Sequence, residues 1–351
     1  MKKPAAERIP DPEKLAEAVF AGDRRALARA VTLVESSRQD HQMLAAKLME
    51  QLSPLSGTSI RIGISGAPGV GKSTFIEAFG NHLLGLDHRV AVLSVDPTSA
   101  LSGGSILGDK TRMPALAREQ AAFIRPSPAG DTLGGVGRHT RESIVICEAG
   151  GFDVVIVETV GVGQSETAVA DMTDMFVLLL PPDAGDELQG IKRGIVELAD
   201  LVLVNKADGE LAPHAQRTAA EYANALRLMR PRSPNWQVSV HTCSALTGNG
   251  VPGVWSLVEQ YRASMGNSGE LAARRAEQAR SWLWSEVSAD LIEALKSDAD
   301  VKKRLPEVER LVIEGALTPT AAARSLVEAF VKGGPAPDSA GSTNSQRRAR
   351  R

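Results

Sequence analysis

Cysteine is nearly absent: Cys147 and Cys243 are the only two in 351 residues, too few for a disulfide framework and in keeping with a reducing compartment. The six histidines are scattered, without the short spacings of a metal site, so this chain is not expected to store or deliver a soft metal. An excess of one charge is missing too. Lys and Arg number 40 against 42 Asp and Glu, a formal charge of -2, which removes any general reason to expect binding to nucleic acid or to an anionic membrane. No uninterrupted apolar stretch approaches the roughly 18 residues of a membrane span, and the start "MKKPAAERIPDPEK" lacks the apolar core of a signal peptide. There is no internal repeat. These absences point to a cytoplasmic globular protein, 43% hydrophobic and 23% charged, whose basic end "QRRARR" reads as a solvated tail.

The chain opens with helical patterns. Asp11 before Pro12 has the form of an N-cap with proline in the first turn, Gly22 closes that helix, and Asp23 caps a second in which Leu27, Ala30, Val31 and Val34 form one apolar stripe. A third helix fits "DHQMLAAKLMEQL". From Ile60 the texture changes. The apolar, β-branched runs "SIRIGIS", "RVAVLSV", "DVVIVE", "MFVLLLP", "DLVLVN" and "WQVSVH" alternate with helical patterns. Near-continuous hydrophobicity predicts strands buried on both faces, hence an α/β fold with a doubly wound, mainly parallel sheet whose ligand lies at the carboxyl ends of the strands. The predicted divisions are an N-terminal helical extension over 1–55, the α/β domain over 56–265, a C-terminal helical arm over 266–332 and a disordered Gly/Pro/Ser-rich tail over 333–351. In the arm, Trp284, Val287, Leu291 and Leu295 share one helix face, and Thr318 with Pro319 starts a final helix. An arm this small has little core of its own and must pack on the α/β domain or on another subunit.

The chemistry concentrates at strand ends. "GAPGVGKST", comprising Gly66, Ala67, Pro68, Gly69, Val70, Gly71, Lys72, Ser73 and Thr74, matches the phosphate-loop pattern between a strand and a helix. Its glycines let backbone N–H groups turn toward phosphates, and the helix N-terminus adds a favourable dipole. Lys72 would reach the β- and γ-phosphates, and Ser73 would ligate Mg2+. "NKAD" follows the strand "DLVLVN". An aspartate at Asp208 can accept from both N1–H and the 2-amino group of guanine, whereas adenine offers no such paired donors. Asn205 can tie this loop to the phosphate loop, Lys206 can lie along the base, and backbone N–H groups of Ser244, Ala245 and Leu246, in "CSAL", can meet the guanine oxygen. GTP is therefore the expected nucleotide.

Three acids complete the set. Asp96 ends a strand before Pro97, and Asp109 sits in a glycine-bounded loop able to close over the nucleotide. In "ETVGVGQSE", Glu158 puts a carboxylate at a strand tip and Gly161 supplies the γ-phosphate N–H, while Val162 stands where a Ras-like switch protein carries its water-orienting glutamine. That valine predicts slow intrinsic turnover, with water orientation falling to Asp96, Asp109 or a bound partner.

The ordered strings GAPGVGKST, VDPTS, GDKTRM, ETVGVGQSE, AGDELQGIKRGI, ELADLVLVNKAD and CSAL closely resemble the MeaB/ArgK family of P-loop GTPases, within the SIMIBI class and including the methylmalonic aciduria type A protein. The resemblance implies a homodimeric GTPase chaperone that protects an adenosylcobalamin-dependent acyl-CoA mutase, chiefly methylmalonyl-CoA mutase, and gates its cofactor loading, with GTP/GDP and Mg2+ as ligands. It implies Ser73, Asp96, Asp109 and Glu158 as the Mg2+ and catalytic shell with Lys72, and Asp186, Gln189 and Lys192 as a switch relaying nucleotide state. It also implies that the C-terminal arm is the dimerisation element. One departure is Asp183 after Pro182, where glycine is expected, with Pro181 before it. An ArgK-type kinase linked to amino-acid transport is the alternative, although no acceptor-binding signature accompanies it. A clamp with a purely structural GTP site fits poorly with an intact lysine, serine and acid set.

Overall fold

The computed structural model describes residues 11–36, 38–96, 113–128, 135–159, 165–184 and 193–333. The N-terminal extension is three helices, α1 (Pro12–Phe20), α2 (Arg24–Val34) and α3 (Gln39–Leu52). The starts of the first two follow from their caps: Asp11 accepts from Glu13 N at 3.2 Å, and Asp23 accepts from Arg25 N at 2.7 Å and Ala26 N at 3.1 Å. The stripe of Leu27, Ala30, Val31 and Val34 is buried.

Seven strands follow: β1 (Ile60–Gly66), β2 (Val90–Asp96), β3 (Ala122–Pro128), β4 (Val154–Thr159), β5 (Met175–Leu180), β6 (Leu201–Val204) and β7 (Ser239–Thr242). They form one sheet in the order β3-β2-β4-β1-β5-β6-β7, every pairing parallel. Successive residues face opposite layers. Val92 and Ile156 join the layer of Phe75, Ile76 and Phe79, whereas Leu93 and Val157 join that of Leu27, Val31 and Leu48. Burial of each such side chain contributes about 1.5–3 kcal/mol, and both layers draw on the same strands. This is why the strands read as continuous apolar runs.

The sequence pattern does not announce β3. Its "AFIRPSP" carries Pro126 and Pro128, which read as loop residues, and the strand survives because it lies at the sheet edge, where a missing N–H costs no ladder bond on the open side.

The helices between strands are α4 (Lys72–Leu84), α5 (Gly135–Ala149), α6 (Ser165–Ala170), α7 (Arg193–Val196) and α8 (Ala212–Arg227), and α9 (Val251–Asn267) follows the last strand. Then comes α10 (Glu270–Ser297), whose first turns dock at the amino ends of the strands through buried ion pairs. Arg274 Nη1 and Nη2 donate to Asp200 at 3.0 and 3.1 Å, and Arg275 Nε and Nη2 donate to Asp174 at 2.7 and 2.6 Å. Beside them, Arg61 Nε and Nη2 donate to Glu148 at 2.8 and 2.9 Å.

The chain divides into two compact units, Met1–Ser281 and Trp282–Arg351. The second contains α11 (Ala299–Ile313) and α12 (Pro319–Gly333), which bury Val301, Ala322 and Ala329. It leaves Trp284, Leu291, Ile292, Ile313 and Val331 exposed. Among the described residues no helix is long and apolar enough to cross a membrane.

Candidate functional site

β1 is the middle strand, and its carboxyl end runs directly into the phosphate loop. Two glycines there are dictated by space. A Cβ on Gly66 would lie 2.4 Å from the Leu179 carbonyl oxygen, and one on Gly71, at φ 93°, would lie 2.8 Å from Asn205 Nδ2. Gly71 leads into α4, whose first turn carries no acidic residue and no side-chain cap, leaving its N–H groups for an anion. Lys72 is buried, and its Nζ donates to the carbonyls of Gly66 at 2.7 Å and Ala67 at 3.3 Å. The ammonium is thereby held against the loop it must serve. Thr74 is exposed, next along the helix.

Ser73 Oγ donates to Glu158 Oε1 at 3.1 Å, joining α4 to the tip of β4. Glu158 is 3% exposed and lies in register with Ile64 of β1 and Ser94 of β2, on the α4 side of the sheet. Beneath it, Thr159 Oγ1 donates to Ser65 Oγ at 3.0 Å. Asp96 is the last residue of β2, adjacent to β4. The side chain of Asp96 lies outside the described residues, as do Asp109, Gly161, Asp186, Gln189 and Lys192.

The base-side loops meet the phosphate loop through Asn205, which is 1% exposed. Its Nδ2 donates to Val70 O at 2.9 Å, and its Oδ1 accepts from Ala245 N at 3.1 Å. Lys206 adds a second tie, Nζ to Gly69 O at 2.8 Å, and holds a left-handed φ of 59° that is uncommon for a side-chain-bearing residue. Ser244 Oγ donates to Asp208 Oδ1 at 2.6 Å and fixes that carboxylate. The Cys243 thiol, pushed up to about 12 by burial, stays protonated beside Asn205.

Ala245 and Ser244 differ from expectation in one respect. The Ala245 N–H is engaged by Asn205 and the Ser244 N–H by Asn249 O at 2.9 Å, which leaves Leu246, 80% exposed, as the member of the trio whose N–H is open among the described residues.

Some participants escaped sequence reading. Asp183, conspicuous there for replacing glycine, has a partner: its Oδ1 lies 2.9 Å from His214 Nδ1 at the start of α8, and Thr218 Oγ1 donates to the Pro182 carbonyl. The turn after β5 is thus held against the helix that follows "NKAD". Ser65 and Thr159 flank the phosphate loop and Glu158 in sequence, and that adjacency is the one signal that could have found them.

The chain is similar to known proteins in both sequence and fold. The family model described as "Methylmalonyl Co-A mutase-associated GTPase MeaB" matches residues 27–300. A "Putative GTPase" of Caulobacter vibrioides is 54% identical over 320 residues, covering 91% of this chain and 98% of that protein. The "Methylmalonic aciduria type A homolog, mitochondrial" of Mus musculus is 49% identical over 328 residues, covering 91% and 79%. Among solved structures, a LAO/AO transport system kinase superposes with a TM-score of 0.71 at 36% identity, covering 94% of this chain and 100% of that one.

Proposed function

The chain belongs to the MeaB family of P-loop GTPases, and from that membership we propose that it is a GTP-hydrolysing chaperone that protects an adenosylcobalamin-dependent acyl-CoA mutase and gates its cofactor loading. The family description names a mutase-associated GTPase, and the mouse relative bears the name of the methylmalonic aciduria protein; both support a mutase of the methylmalonyl-CoA type as partner.

The observation that carries the nucleotide reading is Asn205, one side chain bridging the phosphate loop and the "CSAL" loop. Around it, Asp208 and Leu246 N–H face the guanine, Lys206 lies along the base, and Gly66 to Thr74 wrap the phosphates. The Ser73 hydroxyl and the buried Glu158 carboxylate, hydrogen-bonded to each other at a strand tip, form the hard oxygen set that suits Mg2+, with Asp96 and Asp109 completing the shell. Bound there, Mg2+ would neutralise charge developing on the β- and γ-phosphate oxygens.

Lys72 exchanges its two carbonyl partners for phosphate oxygens and stabilises the same charge. Water attacks the γ-phosphorus, the bond to the β–γ bridging oxygen breaks, and GDP and inorganic phosphate leave. Glu158 or Asp96 orients that water, Gly161 N–H supports the γ-phosphate, and Asp186, Gln189 and Lys192 transmit the loss of that phosphate to the partner. Val162 in place of a glutamine makes unaided turnover slow. The exposed apolar residues of the second unit, Trp284, Leu291 and Ile292 among them, support its service as a homodimer contact.

Steady-state GTP turnover with and without purified methylmalonyl-CoA mutase tests the chaperone reading: acceleration is expected, and equal rates would overturn it. The name of the LAO/AO kinase structure supports the alternative of phosphoryl transfer. Label on the γ-phosphate decides between them, appearing in inorganic phosphate for a GTPase and on an amino-acid-binding acceptor for a kinase.

A further inference from the structure

The edge of the sheet farthest from β3 borders a cavity of about 610 Å3, walled by α7 and its following turn, the end of α8, and the stretch 229–240 that leads into β7. Leu226, Val238 and Val240 give it an apolar floor, and Arg227, Arg230 and Arg232 stand around it. We propose that this cavity is the docking site for an extended, acidic segment of a partner protein, laid beside β7 with alternate apolar side chains in the floor.

Charge is the first support. Three arginines against one acid, Glu197, line the cavity in a chain that is close to neutral overall. Several arginines elsewhere are matched with carboxylates, among them Arg38 with Asp40, Arg61 with Glu148, Arg125 with Glu35 and Arg310 with Glu307. Arg227 and Arg230 have no hydrogen bond or ion pair among the described residues, and Arg232 spends one N–H on the Leu198 carbonyl at 3.0 Å. Unmatched guanidinium groups present ready-made forks for carboxylates.

Shape is the second support. The strand β7 pairs with β6 alone, so its other edge is open among the described residues. The cavity follows the chain continuously from Trp236 to Val240, the last two of these residues being the start of β7. A small compact anion would need only the rim, whereas an apolar floor that reaches the first residues of β7 suits an extended chain, whose backbone supplies affinity and whose alternate side chains supply selection. The site is also prearranged: Trp236 Nε1 donates to Asp200 O at 2.8 Å, and the Arg232 bond pins the opposite wall. None of this depends on which mutase the chain serves.

The test uses the full chain saturated with GDP and Mg2+, so that the phosphate loop is occupied. The probe is a fluorescein-labelled, end-blocked peptide of sequence EVDVDV, compared with KVKVKV and with the scramble DDEVVV. Saturable binding of EVDVDV is expected, with slowed hydrogen exchange at residues 239–242. The double substitution Arg227→Glu with Arg230→Glu should weaken it about tenfold or more, while GTP turnover and melting temperature stay unchanged because both side chains are exposed. Equal binding of KVKVKV or the scramble, an unaffected double variant, unchanged exchange at 239–242, or full displacement by inorganic phosphate would each overturn the proposal, the last by assigning the rim to a small anion.

Discussion

Arg275 grips Asp174 in a two-pronged, buried ion pair: Nε lies 2.7 Å from Oδ1 and Nη2 lies 2.6 Å from Oδ2, the carboxylate being wholly buried and the guanidinium 20% exposed. The same carboxylate accepts from Arg61 N at 2.8 Å, and the same guanidinium donates to Ser59 O at 2.6 Å. One pair therefore fastens the start of α10 to the amino ends of β1 and β5. Burial works most strongly against the charged guanidinium, but the Asp174 hydrogen bonds together with the negative charges of Asp174 and Glu148 outweigh it, raising its pKa above the ordinary arginine value.

Removing Arg275 strands a buried carboxylate. Arg275→Ala is expected to cost about 3–5 kcal/mol in urea unfolding, against less than about 1 kcal/mol for Arg280→Ala, whose partner Glu277 is as exposed as itself. Similar losses for the two variants would contradict a structural role for the buried pair.

Acid should unfasten the neighbouring pair. Burial pushes Glu148 upward, but the Arg61 hydrogen bonds, with Ser59 Oγ and Gly57 N, outweigh it and hold its pKa below the ordinary glutamate value of 4.5. A carboxylate lowered on folding contributes stability that is present above the unfolded value and is lost as pH falls through the folded one. Stability measured from pH 7 down to about pH 3 should thus fall less steeply in Glu148→Gln than in the parent. Glu35, raised chiefly by burial despite Arg125, has the opposite sign, so Glu35→Gln should steepen the fall.

Much of this was legible in one dimension, and the exceptions share a cause. Asp11, Asp23, Gly66 to Thr74 and Asn205 act on neighbours or through local loop geometry, so short strings carry them. Asp174 and Asp200 look like ordinary turn residues before strands, because their partners Arg274 and Arg275 lie 74 or more positions away. The strand β3 was hidden by prolines that only an edge position tolerates. Asp183 stood out as an oddity, and its pairing with His214 required knowing that α8 returns beside the β5 turn.

Charge removal at the phosphate loop separates binding from chemistry. Lys72→Ala takes away a cation that neutralises the transferring phosphoryl group, so single-turnover GTP hydrolysis should fall about 100-fold to 1,000-fold. Melting temperature, read beside the rate, reports the separate cost of leaving the Gly66 and Ala67 carbonyls without the ammonium. A normal hydrolysis rate would remove Lys72 from the mechanism.

Nucleotide selection should divide between Asn205 and Asp208. Asn205→Ala leaves Val70 O and Ala245 N–H without their partner, at about 1–3 kcal/mol for each buried group, so fluorescent GDP analogues should bind about 10-fold to 100-fold more weakly. Guanine and xanthine analogues should suffer alike, because Asn205 shapes the pocket without reading the base. Asp208→Asn acts on the base itself. An amide in place of the carboxylate offers an N–H toward the guanine 2-amino group, which repels it, and toward the 2-oxo group of xanthine, which accepts it. The ratio of GDP to XDP affinity should therefore invert for Asp208→Asn and stay constant for Asn205→Ala. A constant ratio in both would show that the carboxylate held by Ser244 Oγ at 2.6 Å does not read the base.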